Sequence, residues 1–555
     1  MLQQIKFKNY KAFESGKIEF KPITILLGAN SVGKSSIIQL LLMLSQTAND
    51  KDTLSALQVN GSDVSLGSVN NLFRLKDTTD PIILDFKLDG DYLKEVVESL
   101  FNDVYMALHM QYIHLSLLGA NEISTMPLGR DFLPYISESK DNFIEVCNLL
   151  KEGYAQYAND IDKSSVKSII PKNIHGYDEY LETYSILDSV RNTVSSHLEH
   201  FFCKITIRYN AASKSKTNIL YLNDLAVYFC DGSLQKNIVN LHVQKPLSRA
   251  VLSISSDILD ISKFNGELAR KKKFIVTNVR SNIFSYFAES PDLDYFLSVS
   301  KQSVSLPLRC LVNILNSVIK SIEQDINRDK INYVGPLRAH PQRYYLLDRT
   351  RHTTSLDTSN GNEVATIIKN NDALKRMIND WLSHFKIQID IQILEDLINK
   401  LKIKYGKLHL DITDVGFGIS QVLPVIAQGI FSQNKTMTII EQPEVHLHPK
   451  MQADLADLFI DIALPRGKNK ERIHQKTLLI ETHSEYILRR IRRRIAEGVI
   501  KNNDVGIYYI VRSENNVNTS IIKHIDISQT GAFEWPEEFY GGELYEDTVS
   551  FLKHQ

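Results

Sequence analysis

The segment from Ile23 to Ser45 constrains the fold of this chain more than any other stretch. It begins with an apolar run rich in β-branched residues, Ile23 to Leu27, and ends in an apolar stretch with helical character. Between them lies a loop that glycine opens and closes, Gly28-Ala29-Asn30-Ser31-Val32-Gly33-Lys34-Ser35. A strand, a loop of this spacing and a helix are the parts of a phosphate-binding P-loop.

The residue types of this loop fit the chemistry of phosphate binding. Glycines allow the backbone to turn its N–H groups inward, and the N-terminus of the following helix adds a favourable dipole. Lys34 would neutralise β- and γ-phosphate oxygens, and the Ser35 hydroxyl would bind Mg²⁺. The alternative is a chance match in a loop of glycine and serine, but this loop stands in the strand and helix context that a P-loop requires. The sequence therefore predicts a nucleotide-binding site.

The composition limits the classes of protein to consider. With 555 residues, 43% of them hydrophobic and 23% charged, the chain has room for about three or four domains. It has no apolar run of membrane-spanning length and no signal-peptide core at its N-terminus, so we expect a cytoplasmic protein without membrane contact. The four cysteines are widely spaced, which argues against a disulfide framework or a thiolate metal site. A formal net charge of -1 means that any nucleic-acid contact must come from a local patch.

The pattern of apolar residues changes several times along the chain. Residues 2–20 alternate as in an antiparallel hairpin, and 82–88 predict a further strand. Residues 91–202 have helical spacing, with helices expected at 95–118 and 177–201, and short strands follow from 204 to 279. Apolar residues between 308 and 322 then share one helical face. Sustained heptads are absent, so we do not expect a long coiled coil.

A second glycine loop precedes a helical stretch at residues 414–424. Ser420, after Gly416 and Gly418, is placed to cap the following helix, and Pro424 would then fall in its first turn. This arrangement predicts a second helix N-terminus suited to an anion. An ordinary capped helix would show the same pattern.

Two further apolar strands end in polar groups. The first ends at Glu441, which a parallel sheet would place beside Mg²⁺ on a bound nucleotide. The second, residues 477–481, is followed by His483, which could hydrogen-bond a γ-phosphate or be a solvent-facing loop histidine. His446 and His448 alternate with a leucine, but no third or fourth zinc ligand is nearby, so we do not expect a zinc site.

Five arginines occur within six residues after this second strand. Residues 489–494 read Arg489-Arg490-Ile491-Arg492-Arg493-Arg494. On a helix they could bind phosphates of nucleic acid. They could equally form a solvated face or pair with acidic residues of a partner subunit. A shorter basic run at residues 270–273 is more typical of a solvated loop.

Taken together, these segments resemble the motifs of ABC/SMC-type ATPases, most closely those of the OLD-like branch. Residues 28–35 resemble Walker A, 416–421 the signature, 441–449 Walker B with the D-loop, and 482–484 the switch histidine. The segments 59–61, 334–339, 414–424, 441–444 and 535–537 are similar to PtuA-like ATPases of Septu and retron-linked anti-phage systems. The resemblance covers about residues 1–90 and 330–545.

This resemblance implies an α/β fold, namely a P-loop ATPase head of ABC/SMC type that is split in sequence by a large, mainly helical plus β insertion. The expected boundaries are 1–90 for the first half of the head, 91–330 for the insertion, 331–530 for the second half, and 531–555 for a C-terminal tail.

The resemblance also implies that two heads enclose ATP and Mg²⁺ between them, each P-loop facing the signature of the other. The residues implicated in nucleotide binding are Gly28, Asn30, Ser31, Gly33, Lys34, Ser35, Ser36, Gly418, Ser420 and Gln421. Mg²⁺ would be held by Ser35 and Glu441, and the implied catalytic residues are Glu441, Gln442, Glu444 and His483. The family's hydrolytic carboxylate normally follows the Walker B acid, but Gln442 occupies that position. An amide can orient water but cannot accept its proton, so we expect slow hydrolysis, or Glu444 as the base.

Many OLD relatives carry a fused Toprim nuclease, which needs a glutamate and an Asp-x-Asp pair. Pairs with this spacing, such as those at 160–162 and 292–294, lie ahead of the Walker B strand and therefore stand in the wrong order. The resemblance instead implies a separate HNH nuclease of PtuB type, a homo-oligomer of at least two copies, and in retron-linked systems a reverse transcriptase with its DNA. The implied function is a regulatory ATPase subunit in anti-phage defence; the alternative is an SMC-like ATPase that repairs or clamps DNA.

Overall fold

The structure of the protein is a computed structural model in which the chain divides into two units. One unit consists of Met1–Asp50, Gln58–Ile82 and Glu323–Gln555, and the other of Lys51–Leu57 and Ile83–Ile322. The residues that the structure describes are 1–50, 55–117, 131–160, 176–210, 219–244, 251–272, 275–276, 282–287, 304–336, 338, 342–346, 361–394, 398–415, 417–466, 473–535 and 549–554. Gly416, Lys273 and the pairs at 160–162 and 292–294, apart from the backbone of Asp160, lie outside the described residues.

The strand, loop and helix predicted at the N-terminus are confirmed. Strands β1 (Gln4–Tyr10) and β2 (Phe13–Glu19) form the expected antiparallel hairpin. Strand β3 (Ile23–Leu27) is buried at every position, as expected for a parallel strand covered on both faces. Helix α1 (Lys34–Asn49) begins directly after Gly33, so the loop ends at a helix N-terminus.

The second unit combines a group of helices with an antiparallel sheet. Its elements are β4 (Ile82–Lys87), α2 (Gly90–Leu117), α3 (Phe132–Glu138), α4 (Lys140–Asp160), α5 (Gly176–Ser196), β5 (Phe201–Asn210), β6 (Ile219–Asp231), β7 (Leu234–Gln244), β8 (Val251–Ser255), α6 (Asn265–Arg270) and α7 (Leu306–Ile326). The first residue of β4 and the last turn of α7 are counted with the first unit. The sheet order is β4-β5-β6-β7-β8. The helix predicted to reach residue 201 ends at Ser196, because Phe201 pairs with Phe229 of β6.

Aromatic side chains account for much of the packing among α2, α4 and α5. The rings of Phe143 on α4 and Tyr184 on α5 lie 4.5 Å apart between centroids. Phe101 on α2 contacts Tyr184 edge-on at 5.3 Å, and Tyr105 contacts Phe143 at 5.8 Å. Ring pairs in these geometries stabilise beyond the area that they bury. The tyrosine-rich stretch therefore forms a packed core rather than an aromatic surface.

The chain then returns to the first unit. The elements that complete it are β9 (Ile331–Val334), β10 (Tyr345–Leu346), α8 (Gly361–Asn370), α9 (Asp372–Ser383), β11 (Ile387–Leu394), β12 (Ile398–Tyr405), β13 (Leu408–Asp411), α10 (Phe417–Phe431), β14 (Met437–Glu441), α11 (Pro449–Ala463), β15 (Thr477–Glu481), α12 (Glu485–Ala496), β16 (Val505–Arg512) and β17 (Ser520–Ile525). Strands β10 to β13 form a small separate sheet.

The main sheet of the first unit has the strand order β1-β2-β17-β16-β3-β15-β14-β9. Strand β3 is parallel to both of its neighbours, β15 and β16, and β14 is parallel to β15 and β9. The register places Glu441 opposite Glu481 and Glu481 opposite Leu26. The carboxyl ends of these strands therefore meet beside the P-loop, which is where open parallel sheets bind ligands.

Helix α10 corrects the capping prediction for the second glycine loop. It begins at Phe417, so Ser420 lies inside its first turn and does not cap it, and Pro424 lies inside the helix. Gly418 permits this earlier start, because a Cβ atom there would lie 2.6 Å from the backbone oxygen of His446. The first turn of α10 thus packs against the D-loop backbone, and Pro424 is accommodated without an N–H to donate to Ser420.

Residues 531–535 of the first unit pack against α12 through one arginine, Arg492. The Arg492 Nε–H donates to the backbone oxygen of Gly531 at 2.9 Å. Its guanidinium lies 4.9 Å from the ring centroid of Phe533 and 5.5 Å from that of Trp535. Gly531 has a φ of +76°, and a Cβ there would lie 2.3 Å from the backbone oxygen of Arg492.

We predict that Gly531→Ala releases this segment from α12. The methyl group would clash with backbone and would also occupy a left-handed conformation, which costs about 1–2 kcal/mol by itself. Hydrogen exchange of residues 527–535 should accelerate. Gly232→Ala is the matched control, because Gly232 has a φ of +62° with nothing within 4 Å of the added atom. Equal protection of residues 527–535 in Gly531→Ala and the parent would contradict the prediction.

Candidate nucleotide-binding site

A cavity of about 870 Å³ lies at the P-loop, within the usual size range of small-molecule sites. The P-loop lines one side of it with six of the residues implicated in nucleotide binding: Asn30, Ser31, Gly33, Lys34, Ser35 and Ser36. Glu441, Gln442 and Glu481 line it from the strand ends, and Lys11, Lys76 and Arg512 add positive charge. Asn30, Ser31 and Ser35 are exposed, so their polar groups are accessible to a ligand.

The Lys34 ammonium is held at the floor of this cavity. Its Nζ donates to the backbone oxygens of Gly28 at 2.9 Å and Ala29 at 2.8 Å, and it lies 3.6 Å from Oε1 of Glu481. The side chain is only 4% exposed. Burial lowers the pKa of Lys34, while Glu481 and Glu441 act in the opposite direction. The lysine is therefore a preplaced buried cation.

Neighbouring strands hold the P-loop backbone in its curved conformation. Gly28 has a φ of +143°, and a Cβ there would lie 2.3 Å from the backbone oxygen of Ile510 on β16. The Arg512 guanidinium donates to the backbone oxygen of Ser31 at 2.7 Å, and the Ser520 hydroxyl donates to that of Val32. Contacts within the chain therefore support the curvature of the loop, which offers a concave cradle for phosphate.

Two carboxyl groups face each other at the strand ends opposite the loop. Glu441 and Glu481 lie at matching positions of neighbouring parallel strands, and the Tyr333 hydroxyl donates to Oε1 of Glu441 at 2.6 Å. Burial, followed by the charge of Glu441, raises the pKa of Glu481 to about 7. Oε2 of Glu481 is buried without a hydrogen-bond partner among the described residues. The site therefore has unsatisfied acceptor capacity next to the Lys34 cation.

The backbone at Gln442 is strained and held from two sides. Its φ is +45°, a left-handed value that is uncommon for a non-glycine residue. Its N–H donates to the backbone oxygen of Glu481 at 2.8 Å, and its own oxygen accepts from Arg338 at 3.1 Å. Arg338 also donates to the backbone oxygens of Glu441 at 2.7 Å and Gln421 at 3.3 Å, and burial lowers its pKa to about 10. The arginine thus connects α10 to the end of β14.

Glu444 and His483 lie next to each other beyond the strand ends. The Thr482 hydroxyl and the His483 N–H each donate to a different oxygen of Glu444 at 2.7 Å. Burial raises the pKa of Glu444 and lowers that of His483. The Nε2 atom of His483 is buried without a hydrogen-bond partner among the described residues. Glu444 therefore fixes the turn that carries His483, while the histidine itself retains an uncommitted nitrogen.

The three signature residues are not brought to the cavity. Gly418, Ser420 and Gln421 lie on the first turns of α10, and among the described residues that line the cavity none comes from that helix. Ser420 is 6% exposed and Gln421 5%. Within one chain the structure thus unites the P-loop with the strand-end acids and leaves the signature segment outside this group.

Sequence reasoning gave no role to three residues that shape the site. Glu481 ends β15 as Glu441 ends β14. The apolar residues that the two strands share and their common final glutamate could have indicated that both carboxylates lie at the same edge of the sheet. Arg338 and Tyr333 lie around the turn at Gly335, but their partners became apparent only through the pairing of β9 with β14.

The arginines of α12 have partners within the same chain. Arg490 and Arg494 both bind Asp457 on α11, Arg490 also binds Asp454, and Arg492 packs as described above. The other two are the most exposed members and bind acidic residues of their own helix, Arg489 with Glu485 and Arg493 with Glu497. Each of the five arginines therefore has a partner within the chain, and Arg489 and Arg493 lie on an exposed face, which is one of the three alternatives that the sequence left open.

One of the two D-loop histidines has a structural role at the start of a helix. His448 caps α11, because its Nδ1 accepts from the Lys450 N–H at 3.3 Å and Pro449 opens the helix.

Among the described helices, none has both the length and the apolar character needed to cross a membrane.

We predict that Glu481→Gln raises the free energy of unfolding at pH 8 but has a much smaller effect at pH 5. A folded pKa of about 7, above the ordinary 4.5, means that the stability contributed by the protonated group is lost as the pH rises through 7. The gain should be on the order of 1–3 kcal/mol in urea denaturation.

Asp457→Asn is the control with the opposite sign. Burial would raise the pKa of Asp457, but Arg494 and Arg490 lower it overall, so its replacement should destabilise the protein at pH 8. A Glu481→Gln effect that does not change between pH 5 and pH 8 would contradict the assignment.

Comparisons with known proteins give one family model and several solved structures. Three solved structures resemble the chain: an SMC head bound to the C-winged helix domain of ScpA (10% identity, TM-score 0.35), the Thermotoga maritima SMC head domain (6%, 0.30), and an SMC head with an extended coiled coil bound to the C-terminal domain of ScpA derived from Pyrococcus furiosus (9%, 0.31). The matches cover 95%, 95% and 100% of this chain and 98%, 99% and 98% of those chains, in the same order.

These TM-scores are too low to support a fold assignment. The assignment to the P-loop ATPase fold rests on the strand order and the site described above. No curated protein matches the sequence. The family model for the AAA ATPase domain matches residues 1–488. The chain therefore belongs to the AAA ATPase domain family.

Proposed function

We propose that this protein is an ATP-binding and ATP-hydrolysing regulatory subunit whose nucleotide state controls its assembly with a second copy and with a separate nuclease. The observation that carries the proposal is the buried Lys34 ammonium, which stands between the P-loop carbonyls and the strand-end acids at the floor of an 870 Å³ cavity. This arrangement fits a magnesium nucleotide. Lys34 and the loop N–H groups would bind phosphate, and Ser35 with Glu441 would hold Mg²⁺, which would neutralise charge on the phosphate oxygens.

The fit is supported by polar atoms that lack partners. Oε2 of Glu481 and Nε2 of His483 are both buried without hydrogen bonds among the described residues. Buried polar atoms are rarely left unsatisfied, and those that are call for an explanation. Water bound with the nucleotide would supply a donor to the Glu481 carboxylate, which lines the cavity, whereas His483 is not among the described residues that line it.

Assembly of two copies over the nucleotide is the second part of the proposal, and it rests on the resemblance of the signature segment. The N–H groups of the first turn of a helix have no intrahelical partner and attract anions. The first turn of α10 begins at Phe417. Since the Ser420 side chain is only 6% exposed, the backbone of this turn would make the contact, or the turn would have to shift.

Control of a separate HNH-type nuclease in anti-phage defence is the third part, and its support is the resemblance to PtuA-like ATPases. A reverse transcriptase with its DNA would be a further partner in a retron-linked system. The competing function is an SMC-like ATPase that repairs or clamps DNA. The arginines that would serve it are already paired within the chain, so no observation favours it.

We predict that Lys34→Ala weakens ATP binding by roughly 10- to 100-fold, the loss expected when a charged hydrogen-bonding group of about 1.5–3 kcal/mol is removed. Lys476→Ala is the matched control. Its ammonium is also buried and also donates to two backbone oxygens, those of Gly429 and Ile430, but it does not line the cavity. Calorimetric titration with magnesium ATP should separate the two variants, and equal affinities would refute nucleotide binding at this site.

We also predict that ATP shifts the parent protein from one copy to at least two, and that Lys34→Ala abolishes the shift. Light scattering with and without ATP measures the mass. Coexpression with the genes that neighbour its own should recover a nuclease subunit with the parent and less of it with Lys34→Ala. Equal assembly and equal recovery by both proteins would reject nucleotide control.

A further inference from the structure

The proposed hydrolysis needs a group that accepts the proton of the attacking water. The residue that follows Glu441 is Gln442, and a neutral amide cannot accept this proton at neutral pH. A carboxylate in hydrogen-bond reach of the water is the usual solution. The question is therefore which acid of this chain has a free oxygen at the cavity.

Glu444 does not meet this requirement. Its two oxygens accept from the Thr482 hydroxyl and the His483 N–H, both at 2.7 Å. It is also absent from the residues that line the cavity. A Glu444 carboxylate that moved to bind water would lose both bonds and release the turn that carries His483, so its geometry is that of a support.

Glu441 is committed as well. Its Oε1 accepts from the Tyr333 hydroxyl at 2.6 Å. In the proposed site it also holds Mg²⁺, and a carboxylate bound to a cation is a poor proton acceptor.

Glu481 combines the required features. It lines the cavity, its Oε2 has no hydrogen-bond partner among the described residues, and its Oε1 lies 3.6 Å from Nζ of Lys34. The parallel register of β14 and β15 places it directly beside Glu441, and its backbone oxygen accepts the N–H of Gln442 at 2.8 Å. One acid thus contacts the phosphate-binding lysine, the metal-binding acid and the amide residue together.

We propose that Glu481 is the catalytic base of the proposed ATPase, in place of an acid at position 442. The inference rests on the proposed function. In the step, Glu481 takes one proton from the water, and the water oxygen forms a bond to the γ-phosphorus. The bond from that phosphorus to the bridging oxygen breaks, and ADP leaves with its electron pair, so that ADP and inorganic phosphate are the products. The Gln442 amide orients the same water through a hydrogen bond.

The test is Glu481→Gln in the full chain, with ATP binding and turnover measured separately. Loss of a positioned base lowers turnover by about 10²- to 10⁴-fold. We expect single-turnover hydrolysis of labelled ATP to fall by that amount, while the affinity for magnesium ATP stays within a few-fold of the parent. A Glu481→Gln protein that hydrolyses ATP at the parental rate overturns the inference, and so does one that loses ATP binding together with turnover.

Lys34→Ala separates this inference from the function on which it rests, because it should lose ATP binding while Glu481→Gln retains it. A parent that binds ATP without measurable hydrolysis overturns the inference about Glu481 and leaves nucleotide-controlled assembly in place. A parent that does not bind ATP overturns both.

Discussion

The parallel pairing of β3 with β15, and of β15 with β14, is the constraint on which the site depends. These three strands place Leu26, Glu481 and Glu441 at matching positions, directly before the P-loop or the loops that face it. A shift of one residue in either pairing would turn one carboxylate to the opposite face of the sheet. The buried β-branched side chains of the strands therefore determine the positions of the charged groups beside Lys34.

The charges at this edge are arranged so that none is buried alone. Lys34 is compensated by two carbonyls and by Glu481, and Arg338 by three carbonyls. Removing one partner from such a group costs far more than the pair contributes, because the remaining charge is left uncompensated. A nucleotide that brings its own phosphates and metal ion changes this balance in one step, which gives the site a physical reason to differ between the free and bound states.

Much of the fold could be read from local sequence, because the relevant signals are local. The P-loop, the hairpin before it and the strands that end at Glu441 and Glu481 each follow from periodicity and from neighbouring glycine. The start of α10 could not be read in this way. It depends on the close approach of Gly418 to the backbone of His446, a contact between residues that are adjacent only after folding.

The partners of charged residues were the least predictable part of the site. The sequence shows five arginines within six residues, but Asp454 and Asp457 lie on a different helix, and nothing local indicates that α11 and α12 pack together. The same holds for Arg338, whose acceptors are backbone oxygens of Gln421, Glu441 and Gln442. Every residue type has a backbone oxygen, so the sequence does not indicate which residues will be such acceptors, and only the folded structure shows them.

The position of β3 between β15 and β16 has a consequence for synthesis on the ribosome. Ile23 pairs with Leu478 on one side and with Val505 on the other, so both neighbours of the P-loop strand are translated more than 450 residues after it. At about 5–20 residues per second, the interval is roughly 25 to 100 seconds. During that time the apolar strand β3 has neither of its neighbours, so the P-loop cannot take its folded conformation until both β15 and β16 have been translated.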